Sequence, residues 1–72
     1  MEVRSWIFEY ADEVNIVELE HDPETGYRAI KVNGIMKVED ERENLHGGVY
    51  KFKVGELPCM LYINKKKQQY QY

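Results

Sequence analysis

Few of the residues that usually carry chemistry occur in this sequence. Among 72 residues there is one cysteine, Cys59, one serine, Ser5, and two histidines, His21 and His46. A lone cysteine excludes an internal disulfide and suits a reducing compartment, so a cytoplasmic address is expected. Ser5 sits inside an alternating apolar stretch rather than in a nucleophile motif. Gly47-Gly48 is not followed by Lys-Ser/Thr, which excludes a phosphate-cradling loop. No apolar run approaches the ~18 residues that a membrane helix needs. Met1-Glu2-Val3-Arg4 does not open a signal peptide. No membrane partner is therefore expected. The net charge of −3 and the pI of about 5.3 also make nucleic acid an unexpected partner.

What is present is strand chemistry. The chain is organised around residues 15–34, where Val17 and Leu19 alternate with Glu18 and Glu20, and Ile30 and Val32 flank Lys31. A period of two marks half-buried β-strands. Asp22-Pro23-Glu24-Thr25-Gly26 separates these runs as a turn, and Asn33-Gly34 closes the second as a hairpin. Both Gly26 and Gly34 are expected at positive φ. A two-residue loop at Asn33-Gly34 would set Val32 opposite Ile35. A three-residue bulged loop would pair Ile30 with Met36, and the apolar pattern favours it.

Upstream, Val3 to Tyr10 reads as a strand with Trp6, Phe8 and Tyr10 on one face, joined onward through Ala11-Asp12-Glu13-Val14. Residues 39–48 read as a solvated loop. Val49 to Val54 alternates, and Gly55-Glu56-Leu57-Pro58 turns the chain. Cys59-Met60-Leu61-Tyr62-Ile63 is continuously apolar, as in a strand covered on both faces. Lys65 to Gln69 forms a polar turn, and Tyr70-Gln71-Tyr72 begins a last strand. The fold class is all-β, a small antiparallel sandwich or roll of six to seven short strands in a single domain over 1–72. Its expected core is Trp6, Phe8, Val17, Leu19, Ile30, Val32, Tyr50, Phe52, Val54, Leu61 and Ile63.

Candidate sites are sparse. His21, His46 and Cys59 lack zinc-ligand spacing and number fewer than four, so no metal site is expected. His21 reads as a strand-end residue and Cys59 as a small buried hydrophobe. Glu18, Glu20, Asp22 and Glu24 crowd one region, and paired carboxylates can cleave glycosides, but on a strand they read as a solvated face. Lys65-Lys66-Lys67 beside Tyr62, Tyr70 and Tyr72 offers an alternative function, a roll binding single-stranded nucleic acid or a small ligand. No catalytic residue and no cofactor are expected.

The order of motifs says more than any one of them. It runs from Trp6 through Val17-Glu18-Leu19-Glu20-His21, Thr25-Gly26-Tyr27-Arg28 and Val32-Asn33-Gly34. Tyr50-Lys51-Phe52-Lys53-Val54-Gly55, Tyr62-Ile63-Asn64 and Tyr70-Gln71-Tyr72 follow. In this order the chain resembles the first β-domain of the Fas apoptotic inhibitory molecule family. The resemblance implies a non-enzymatic domain that acts through protein contact, restraining death-receptor-triggered apoptosis or protecting against protein aggregation. The family continues through another strand into a second domain, so a fragment or reduced relative is implied, with the second domain absent. Residues 40–46 lack the aromatic, basic character of the family's long loop. With so short a last strand, a homodimer through the C-terminal edge is also expected.

Overall fold

The computed structural model describes the backbone of residues 1–41, 48–66 and 69–72, and the side chains of these apart from 65, 66 and 69–71. Seven strands follow one another: β1 (Glu2–Tyr10), β2 (Glu13–Asp22), β3 (Tyr27–Val32), β4 (Ile35–Glu41), β5 (Gly48–Val54), β6 (Leu57–Lys66) and β7 (Gln69–Gln71). They form a four-stranded sheet in the order β1-β2-β3-β4 and a three-stranded sheet in the order β5-β6-β7. All pairings are antiparallel. Most of the loop expected over 39–48 falls on 42–47, outside the described residues, as does the tip of the lysine turn at 67–68. Glu39 to Glu41 are strand rather than loop.

The two sheets face each other across one core. Val17, Leu19, Ile30 and Val32 come from the first sheet, and Tyr50, Val54, Leu61 and Ile63 from the second. The alternation predicts this: each of these side chains is separated from its neighbour by one that points outward. Burying each large apolar side chain contributes roughly 1.5–3 kcal/mol. Three members of the expected core are less covered. Phe8 and Phe52 are only partly buried against the cluster, and Trp6 is 37% exposed. They lie where the sandwich is open along one side. The outer face of β1 and β2 exposes Val3, Ile7 and Val14.

Turn chemistry accounts for the hairpins, with corrections. Asn33 and Gly34 have φ of 51° and 81°, the left-handed pair of a tight two-residue turn, and Val32 stands opposite Ile35. The bulged three-residue loop is therefore wrong. The bulge lies farther along β4: Lys31 pairs with Met36 and Ile30 with Val38, leaving Lys37 as the inserted residue. The bulge restores Ile30 and Val38 to one face, which the apolar pattern required. Asn33 fixes the turn against β2. Its backbone N–H donates to Ile16 O at 2.8 Å, and its side-chain Oδ1 accepts from Ile16 N at 2.8 Å. Its Nδ2 donates to Asn15 Oδ1 at 3.0 Å.

The connection after β1 narrows to a two-residue turn, because Ala11 and Asp12 both take positive φ without a glycine. Glu13 and Val14 belong to β2. Likewise only Gly55 and Glu56 turn the chain after β5, and Leu57 and Pro58 belong to β6. Within β6 the apolar run is not covered on both faces. Leu61 and Ile63 are buried, whereas Met60 and Tyr62 are about half exposed. A continuous apolar run does not by itself say how many faces are covered.

Candidate functional site

Two features stand out from the packing: a buried polar cluster at one end of the sandwich, and a cleft along its side. The cluster starts from register. His21 on β2 faces Arg28 on β3, and Arg28 faces Asp40 on β4. His21 and Arg28 are wholly buried, on the same inner faces as Leu19 and Ile30. Arg28 Nη1 donates to the Tyr50 hydroxyl at 3.1 Å, which in turn donates to Asp40 Oδ2 at 3.0 Å. The guanidinium also lies 6.0 Å from the Tyr50 ring centre. A buried cation is costly without such partners, and the Asp40 carboxylate compensates its charge through the phenol. Gly48 makes room for this arrangement: a Cβ there would stand 2.8 Å from Arg28 Nη1 and 3.1 Å from the Tyr50 ring.

His21 carries the cluster towards the last residue of the chain. Its Nδ1 lies 2.6 Å from the Tyr72 hydroxyl, and the two rings meet edge-on. Tyr72 in turn lies beneath the Arg4 guanidinium, 5.3 Å from ring centre to carbon. Burial lowers the His21 pKa below its ordinary value, and the charge of Arg28 lowers it further against Asp22 and Glu2. As expected, His21 is a strand-end residue beside the turn, and its side chain is sealed in the interior. Chemically the cluster is an anchor. It ties four strands and Tyr72 together through hydrogen bonds.

The cleft lies between the edge of each sheet. Trp6 and Phe8 on β1 form one wall, Cys59 and Leu61 on β6 the other, with Phe52 and Tyr72 closing it. Its volume is about 430 Å³, within the range of ordinary ligand pockets. Cys59 is half-buried and free, its Sγ 3.7 Å from the Leu57 carbonyl, so it is a cleft residue rather than a core one. Alongside the cleft, β6 has β5 on one flank, but β7 covers only residues 64–66 on the other. Among the described residues nothing pairs with the second flank of β6 from Leu57 to Ile63.

The other expected groups are scattered. Glu18 and Glu20 stand on the outer face of the first sheet, where Glu20 pairs with Lys31 at 3.2 Å. Asp22 Oδ1 accepts the Glu24 N–H at 3.0 Å within the turn. Tyr62 is half exposed and Tyr72 turns inward to His21, and both line the cleft. The side chains of Lys65, Lys66, Lys67 and Tyr70 lie outside the described residues. Among the described residues no three His, Cys, Asp or Glu side chains gather where a metal could bind.

Sequence reasoning does not bring Arg28, Asp40 and Tyr50 together as a unit, and reading His21 as a strand-end residue leaves its burial unread. The signal was available in part. His21 follows Val17 and Leu19 at steps of two, and Arg28 precedes Ile30 and Val32 in the same way, so alternation puts both inward. A family model described as Fas apoptotic inhibitory molecule (FAIM1) matches residues 2–72. No curated protein and no solved structure matches the chain.

Proposed function

The chain belongs to the Fas apoptotic inhibitory molecule family, and from this we propose that it is a non-catalytic cytosolic domain that works by protein contact. Its role would be to restrain death-receptor-triggered apoptosis or to protect against protein aggregation. The observation that carries this reading is the cleft between β1 and β6, an apolar recess beside an unpaired strand flank. A small domain that leaves Trp6, Phe8 and Phe52 partly in water forgoes stability that a covering chain would supply. The polar cluster, by contrast, fits a structural role, since its buried cation is bonded through Tyr50 to Asp40.

The reading is tested in cells stimulated through a death receptor. Cells expressing the domain are expected to activate less caspase than cells carrying an empty vector, and the difference should shrink when Trp6 is replaced by Glu at the cleft. Equal caspase activation with and without the domain, together with unchanged aggregation of a heat-stressed bystander protein, would overturn it.

A further inference from the structure

The unpaired flank of β6 can be read atom by atom. β5 and β6 are joined by a two-residue turn, so Val54 and Leu57 exchange both backbone hydrogen bonds. The pairs Phe52–Cys59 and Tyr50–Leu61 repeat that arrangement at steps of two. The residues between them, Pro58, Met60 and Tyr62, therefore direct their backbone groups to the other side. Asn64 and Lys66 point the same way, and there β7 meets them opposite Gln71 and Gln69. Pro58 fits this account, because proline is tolerated in a strand where its missing N–H would face an open edge. What remains without a strand partner among the described residues is a short ladder: the carbonyl of Pro58 and both backbone groups of Met60 and Tyr62.

Charge is divided between the two halves of the chain. Residues 1–47 hold twelve Asp and Glu against five Lys and Arg, whereas residues 48–72 hold five Lys against one Glu, Glu56. The sheet that owns the open flank is thus the basic one, with Lys51 and Lys53 exposed on its outer face. A strand added to β6 would lie about 9.5 Å, two strand spacings, from β5. That is close to the screening length of about 8–10 Å at ordinary ionic strength, so the lysines act on it. Its side chains would alternate between the outer face and the cleft.

We propose that the edge of β6 from Pro58 to Tyr62, together with the cleft it borders, accepts an extended segment of another protein. That segment carries bulky apolar side chains at alternate positions and carboxylates between them. Backbone bonds to Met60 and Tyr62 set its register, as in other strand additions. Its apolar side chains enter the recess between Trp6, Phe8 and Leu61, and its carboxylates face the lysine side. A second copy of this chain fits less well. A symmetric pairing of two β6 edges would bring two basic sheets side by side and lose a bond at each Pro58. The inference rests on the protein-contact reading and names its chemistry.

The probe is a blocked synthetic peptide of about seven residues, an ordinary strand length, alternating glutamate with phenylalanine, leucine and valine. Added to the full chain, it is expected to slow amide hydrogen exchange at Met60 and Tyr62, with little change at Leu61, whose N–H already serves β5. Methylating its edge-facing nitrogens should weaken binding roughly tenfold or more, a loss of about 1.4 kcal/mol. Exchanging its glutamates for lysines should weaken it similarly at low salt, and less at high salt. On the protein, Tyr62→Pro removes an edge donor and should abolish binding, whereas Tyr62→Phe keeps that donor and the ring at the cleft and should bind within a few-fold of the parent.

Equal binding of the parent and methylated peptides would overturn the proposal, and so would equal binding of the acidic and basic ones. Protection of Met60 and Tyr62 in the protein alone, rising with concentration alongside a sedimenting dimer, would assign the edge to a second copy instead. A peptide that binds as described to a domain inactive in stimulated cells would leave this inference standing and remove only the cellular role. The methylated-peptide comparison stands even if Tyr62→Pro fails to fold.

Discussion

At the scale of single residues, the most informative side chains are the polar ones the fold conceals. His21 is buried beside Arg28, and both effects disfavour its protonation, so its pKa lies below the ordinary value near 6.5. The unfolded chain takes up a proton first as pH falls. Stability is therefore full above pH 6.5, declines as pH drops through that value, and levels off below the folded pKa. Urea titrations between pH 7.5 and pH 5 are expected to show this loss, beginning above the carboxylate range. His21→Asn, which cannot titrate, should flatten it; an equal slope in the variant would place the acid sensitivity elsewhere. Gly48 makes a second case. A methyl group there would meet Arg28 Nη1 at 2.8 Å, and that guanidinium is enclosed and bonded to Tyr50. Gly48→Ala should cost about 1–3 kcal/mol, as overpacking does, and a urea midpoint equal to that of the parent would show that Arg28 moves aside freely.

At the scale of elements, Gly34 gives the contrasting glycine. Nothing lies within 4 Å of a Cβ there, but φ is +81°. Gly34→Ala should therefore cost only about 1 kcal/mol, from the left-handed backbone alone. In chemical denaturation it should rank as milder than Gly48→Ala, and the reverse order would contradict the assignment of steric crowding to Gly48. Alternation made most strands legible, because each inner residue of β2, β3 and β5 repeats at steps of two, and Gly26 and Gly34 both take the positive φ that their turns demand. What alternation did not convey was where irregularity would be placed. The need to bring Ile30 and Val38 together could be met by a bulge in the loop or in the strand. The three hydrogen bonds between Asn33 and β2 hold the turn tight and displace the bulge to Lys37. Those bonds cross 17 and 18 positions of sequence, which no local pattern reveals. The open flank of β6 escaped for a related reason: Met60 and Tyr62 look like core residues until the missing neighbour is known.

At the scale of the molecule, the sandwich is fastened at one end as well as through its centre. Four pieces of the motif order, remote in sequence, contribute His21, Arg28, Tyr50 and Tyr72, and the fold brings them to one buried place. The motif order thus records a place where separate strands are tied together. Tyr72 matters most to the architecture. It leaves the second sheet just after β7, and its ring meets His21 of β2 and Arg4 of β1 in the first. With Phe52, this ring closes the sandwich beside the cleft. A domain of this length has a total stability of about 5 kcal/mol, so a fastening of this kind is a sizeable share. Tyr72→Phe removes only the hydroxyl and its bond to His21, at a cost of about 1 kcal/mol. Tyr72→Ala also removes the ring and should cost about 2–4 kcal/mol, with faster amide exchange in β1 as well as in β7. If Tyr72→Ala matched Tyr72→Phe in urea and left β1 exchange unchanged, the ring would not be joining the sheets. The closure would then rest on the apolar core alone.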